Sequence, residues 1–133
     1  MKTFGFRKFD CIKGDFYLND SIIKLHGINY SQHWSQGGLW TSQNPNFRKD
    51  LESLKKLGFN TIRSGGAPLS NEALDLCDEL GLLVFQEFPV HTMRSSARGL
   101  EEVRSVIEDI VTEQKHHPSI VAWVIGAENG TLV

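Results

Sequence analysis

Two glutamates, Glu87 and Glu128, each stand at the end of an apolar run. Read with Asn29, His33, Arg63, His91 and Asn129, they form a set of polar residues at the ends of predicted strands. Two carboxylates beside an Arg, an Asn and a His suit glycoside hydrolysis. One group protonates the leaving oxygen, and another attacks or stabilises the oxocarbenium-like sugar. Trp34 and Trp40 offer flat apolar faces against which sugar rings can pack. Each residue has a plainer reading beside this one. Arg63 and Glu87 can form a structural ion pair, the tryptophans can fold a loop back on itself, and an acid after a strand is often only solvated.

The elements that must position these residues follow from periodicity and punctuation. Ile120 to Ile125 is unbroken by polar residues, the habit of a strand covered on both faces, and it leads through Gly126 to Glu128. Phe16 to Leu18 and Ile22 to Leu25 flank Asn19-Asp20-Ser21, a hairpin signature. Leu25 to Tyr30 reads as a strand, and the polar stretch from 31 to 44 as a long loop of the kind that carries function. A helix follows, with Phe47, Leu51, Leu54 and Leu57 at helical spacing and Gly58 as its stop. Phe59 to Arg63 is a strand. After the Ser64 to Pro68 turn, Ser70 caps a helix buried through Ala73, Leu76, Cys77 and Leu80, and Gly81 ends it. Leu82 to Phe85 is an apolar strand running into Gln86-Glu87. A loop from Val90 to Gly99 precedes a helix with Val103, Val106, Ile107, Ile110 and Val111 on one face.

Strand and helix therefore alternate, which argues for an α/β fold with a parallel sheet and right-handed crossovers. An open doubly wound sheet and part of an eight-stranded barrel both fit this order. Both place ligands at the C-terminal ends of the strands.

At 133 residues, with 40% hydrophobic and 23% charged content, the chain has the size and composition of one globular domain. No apolar run reaches the roughly 20 residues that cross a bilayer, so no membrane partner is expected. The opening Met1 to Asp10 lacks the apolar core of a signal peptide, which implies a cytoplasmic chain if Met1 is the true start. A net charge of -2 with interspersed signs gives no reason to expect nucleic acid. Cys11 and Cys77 form no metal spacing and read as reduced thiols. No metal is expected at His116 and His117, which read as helix-end residues facing the negative pole of a helix dipole. The Gly65-Gly66 turn is only a weak phosphate cradle, because no nucleotide-binding glycine motif accompanies it.

Four stretches, in order along the chain, carry a family resemblance. They are Gly14-Asp15-Phe16-Tyr17-Leu18-Asn19 with Leu25-His26-Gly27-Ile28-Asn29; Leu57-Gly58-Phe59-Asn60-Thr61-Ile62-Arg63; Leu76-Cys77-Asp78-Glu79-Leu80-Gly81-Leu82-Leu83-Val84; and His117-Pro118-Ser119-Ile120 through Trp123 to Glu128. In these the chain resembles glycoside hydrolase family 2, the β-galactosidases, β-glucuronidases and β-mannosidases.

The resemblance implies a partial TIM (β/α)8 barrel, the first four βα units preceded by a short β-hairpin. Residues 14–133 would be the N-terminal half of a glycosidase barrel, and 1–13 the tail of a preceding β-sandwich domain. It implies a retaining β-glycosidase acting on a carbohydrate substrate without a cofactor. By the resemblance Glu128 occupies the general acid/base position, Arg63 falls on the family's arginine ending the second strand and Asn29 on the asparagine ending the first. Beside them His33, Trp34, Glu87 and His91, read from their places at strand ends and in the loop, and Ala127 are the candidate sugar contacts. The hairpin would close the bottom of the barrel.

Three departures qualify this. Ala127 replaces the family's usual Asn, which holds the sugar 2-hydroxyl. Ser64-Gly65-Gly66-Ala67-Pro68 is nearer the mannosidase-like turn than the galactosidase-like one. The sequence also ends after the fourth strand, with no counterpart of the nucleophile. The isolated chain is accordingly expected to be inactive, completed either by a homodimer partner lending its Glu87 or by the missing C-terminal half of the barrel. The alternatives are a non-catalytic carbohydrate-binding or structural remnant, and a flavodoxin-like domain.

Overall fold

The computed structural model describes residues 4–30, 47–89 and 97–125. Two sheets build it. Strands β1 (Phe9–Ile12), β2 (Asp15–Leu18) and β3 (Ser21–Ile23) form an antiparallel sheet in that order. Strands β4 (Gly27–Tyr30), β5 (Thr61–Ser64), β6 (Leu83–Glu87) and β7 (Ile120–Val124) form a parallel sheet, interleaved with α1 (Phe47–Lys56), α2 (Asn71–Leu80) and α3 (Ala97–Gln114). The parallel order β4-β5-β6-β7 with a helix in each described crossover is the expected partial barrel.

The expected hairpin is present as β2 and β3, and its turn residues Asn19 and Asp20 both take positive φ, of 50° and 65°. That conformation matches the twist of the flanking strands and favours Asn and Asp. A second turn of this kind, at Lys13 and Gly14, joins β1 to β2, so residues 9–12 add a third strand to the expected pair. Helix α3 starts at Ala97, inside the stretch read as loop. Gly99 is a weak helix former, but it stands in the first turn of a helix whose later turns carry the apolar stripe.

The parallel sheet has two unlike faces. Ile62, Val84 and Ile120 are register partners across β5, β6 and β7, and all three are fully buried against Leu51 of α1 and Leu74 and Cys77 of α2. Because side chains alternate along a strand, Arg63, Phe85 and Glu87 fall on the opposite face. There Phe9 of β1 meets Phe85 with ring centroids 6.3 Å apart, so the small sheet touches the non-helical face. A register shift between Val84 and Phe85 leaves Val121 unpaired, which returns Val124 to the level of Glu87 and Trp123 to that of Gln86.

Several polar residues fix the connections. Ser70 caps α2 by accepting the Ala73 N–H, and Gly81 ends it at φ 65°. Gly58, at φ 88°, turns the chain out of α1 and into β5. Asn60 then ties the entry to β5 to the entry to β4, accepting the His26 N–H at 2.8 Å and donating to the Lys24 carbonyl at 2.8 Å.

Candidate active site

The C-terminal ends of the described parallel strands bring three of the eight candidate residues together. Asn29 on β4 is the register partner of Arg63 on β5, and Glu87 is the last residue of β6. The Arg63 guanidinium Nη2 donates to Glu87 Oε2 at 2.8 Å. The Glu87 side chain is only 5% exposed, whereas that of Arg63 is 30% exposed. The pair therefore has a buried anchor and a partly open cation. Glu87 is held from behind as well, since its backbone N–H donates to Ser64 Oγ at 2.7 Å. The expected ion pair is thus present, and it leaves Arg63 facing outward at a strand end beside an exposed Asn29.

His33, Trp34, His91, Ala127 and Glu128 lie outside the described residues. The last strand is described through Val124, the register partner of Glu87, four residues before Glu128. Val124 lies at the same end of the sheet as Asn29, Arg63 and Glu87, because all four strands are parallel.

Two polar groups behind the rim escaped the sequence reading. Gln86 and Gln114 are buried and bonded to each other and to the Leu69 backbone. The available signal was a glutamine inside an otherwise apolar strand. The second group is Asp78 with His117. The imidazole is almost wholly buried, with Nδ1 2.7 Å from Asp78 Oδ2, while Asp78 Oδ1 accepts the Ser119 N–H at 2.8 Å. His117 therefore does more than face a helix end, since it joins α2 to the turn before β7.

The fold also brings Asp75 near this imidazole, at 3.7 Å, giving one nitrogen and two carboxylates a spacing that a cation could use. Both Asp78 oxygens already accept hydrogen bonds, so locking this turn accounts for the arrangement. Burial lowers the Arg7 guanidinium from its ordinary value, an effect that the nearby Asp78 carboxylate opposes. Burial pushes the Cys77 thiol up to about 12, and both cysteines are unpaired. No helix among the described residues is long and apolar enough to cross a membrane.

Comparison with known proteins agrees with this geometry. Residues 9–132 match the family described as glycosyl hydrolases family 2, TIM barrel domain. A β-galactosidase of Thermoanaerobacterium thermosulfurigenes is 35% identical over 121 residues, which is 90% of this chain and 17% of that protein. Among solved structures, the apo β-glucuronidase 3 of Bacteroides uniformis superposes with a TM-score of 0.81 at 32% identity, covering 90% of this chain and 16% of that one. A β-galacturonidase from Eisenbergiella tayi bound to galacturonate gives a TM-score of 0.76 at 29% identity, with 90% and 22% covered. The chain spans less than a quarter of the length of these relatives.

Proposed function

The chain belongs to glycosyl hydrolase family 2, within its TIM barrel domain, and from that premise we propose that it is the acid/base-bearing half of a retaining β-glycosidase. Glu128 is the proton donor to the leaving oxygen and later the base that activates water. Asn29, Arg63 and Glu87 form the near wall of the sugar site, which His33, Trp34, His91 and Ala127 complete. The nucleophile comes from the remaining βα units of a full barrel, and the 133 residues alone turn over no substrate. Two unpaired cysteines support a reducing, cytoplasmic setting.

The observation that carries this reading is the Arg63–Glu87 pair. An ion pair anchored by a buried carboxylate, with its cation open to a strand end beside Asn29, is a preorganised polar contact for a hydroxylated ligand. One feature favours a second reading. Ala127 has no side chain able to hold the sugar 2-hydroxyl, as expected of a sugar-binding remnant without catalysis.

The experiment exchanges residues 9–132 for the matching segment of the Thermoanaerobacterium β-galactosidase and follows aryl β-glycoside turnover. Glu128→Gln in that chimera should lower turnover by about 10²- to 10⁴-fold on a poor leaving group. The loss should be far smaller on an activated one, and azide should restore activity through a glycosyl azide. A folded, sugar-binding chimera indifferent to Glu128→Gln establishes the remnant reading instead.

A further inference from the structure

The turn after β5, residues 65–69, lies next to Arg63, and its backbone has no strand ladder to satisfy it. Its first amide, Gly65, donates to the Tyr30 carbonyl at 3.1 Å. Its far end is held by side chains. Gln86 Oε1 accepts the Leu69 N–H at 3.2 Å and Gln86 Nε2 donates to the Leu69 carbonyl at 3.2 Å, so this amide pairs with the turn as an extra strand would. Gln114, the last residue of α3, donates to the same carbonyl at 2.9 Å and accepts from Gln86 Nε2 at 2.7 Å. Two elements, β6 and α3, thus converge on one backbone residue of the turn, with Leu69, Gln86 and Gln114 all buried.

Buried amides in such a network are costly unless every partner is in place, and when satisfied they specify one geometry. An apolar side chain of similar volume at position 114 would fill the space but remove one of the two donors to the Leu69 carbonyl and the acceptor that orients the Gln86 amide, loosening the group that holds the Leu69 N–H. The clamp also lies one residue from the rim. Gln86 points to the helix layer while its neighbour Glu87 points to the other face, donates its N–H to Ser64 Oγ and holds Arg63.

We propose that Gln114 is a positioning residue for the sugar-facing rim: through Gln86 and the Leu69 backbone it fixes the 65–69 turn, and with it the orientation of the Arg63–Glu87 pair. Its role toward a sugar rests on the reading of Arg63 as a substrate contact, but the coupling itself is measurable without any sugar.

The test uses isotope-edited NMR of the whole 133-residue chain. In the parent, hindered rotation against Glu87 should resolve the Arg63 Nη signals, and the bond to Gln86 should protect the Leu69 amide. Gln114→Met should speed Leu69 exchange by about tenfold or more and merge the Arg63 Nη signals. Glu113→Gln, one residue away on the same helical turn and bonded to Asn71, should move neither readout. If Gln114→Met does not fold, Gln114→Asn carries the test. Its amide stays neutral but is one methylene too short to reach both Gln86 and the Leu69 carbonyl, so both effects should appear. Faster Leu69 exchange with unmoved Arg63 signals overturns the proposal, because Gln114 would then only brace the core. Unchanged Leu69 exchange overturns it too. Loss of the sugar-site reading would instead show as a chimera that fails to bind sugar, with the NMR result intact.

Discussion

A single carboxylate, Asp78 on α2, holds the buried His117 ring through one oxygen and the Ser119 N–H through the other. The chain segment that leads into β7 is thus seated on α2 before the strand begins. Gly5 lies flat on the adjoining Pro118, where an added Cβ would come within 2.8 Å of the proline ring, so the N-terminal strap rests on the same turn.

Asp78→Ala leaves the ring nitrogen and the Ser119 N–H without their acceptor in a largely buried site. The expected loss is about 2–3 kcal/mol of unfolding free energy, read from urea denaturation at constant m-value. A loss under about 0.5 kcal/mol, the range of ordinary surface changes, would show that the lock is dispensable.

The Arg63–Glu87 pair makes a second, sharper prediction. Arg63→Met strands a buried carboxylate and should cost about 3 kcal/mol or more, while Arg63→Met/Glu87→Met should recover most of it, because an apolar pair replaces an ionic one at little net cost. Denaturation of both variants gives the comparison. If the double variant is no better than the single, burial of the unpaired charge is not what destabilises Arg63→Met. In either variant the proposed sugar contact is lost.

Much of this architecture was legible because it rests on local chemistry. Ser70, Gly58 and Gly81 mark helix ends by cap geometry, and Asn19-Asp20 marks a hairpin by its tolerance of positive φ. The turn at Lys13-Gly14 uses the same backbone, yet lysine carries no such preference, so β1 went unread. Arg63 and Glu87 were legible as strand-end residues, but 24 positions of sequence separate them and only the parallel register makes them a pair. The Gln86–Gln114 and Asp78–His117 contacts were illegible for the same reason. Each joins residues whose types are common and whose meeting depends on how α2 and α3 pack against the sheet.

The two cysteines should differ sharply toward alkylating reagents. Cys77 is buried on α2 with its thiol pushed up to about 12, so almost none is thiolate near neutral pH, and access is closed as well. Cys11 on β1 is exposed. Iodoacetamide should add one label to the folded chain, at Cys11, and two in denaturant, as counted by mass spectrometry of peptides. Labelling of Cys77 at a comparable rate in the folded chain would mean that α2 opens readily from the sheet.

A surface pair gives a pH signature that can be separated from the buried ones. Arg48 of α1 donates from both terminal nitrogens to Glu79 of α2, at 2.9 and 2.8 Å. That hydrogen-bonded guanidinium holds the Glu79 carboxyl below its ordinary value. A carboxyl whose folded-state value is depressed binds protons more weakly than in the unfolded chain. It therefore adds stability above the unfolded value of about 4, and loses it as pH falls through the lower folded value. The Tm difference between the parent and Glu79→Gln should thus be positive at neutral pH, shrink on acidification and vanish in strong acid. The pair is exposed, so the difference should be small and should also fall with added salt. A difference that persists unchanged in strong acid would assign the effect to packing of α1 on α2 rather than to charge.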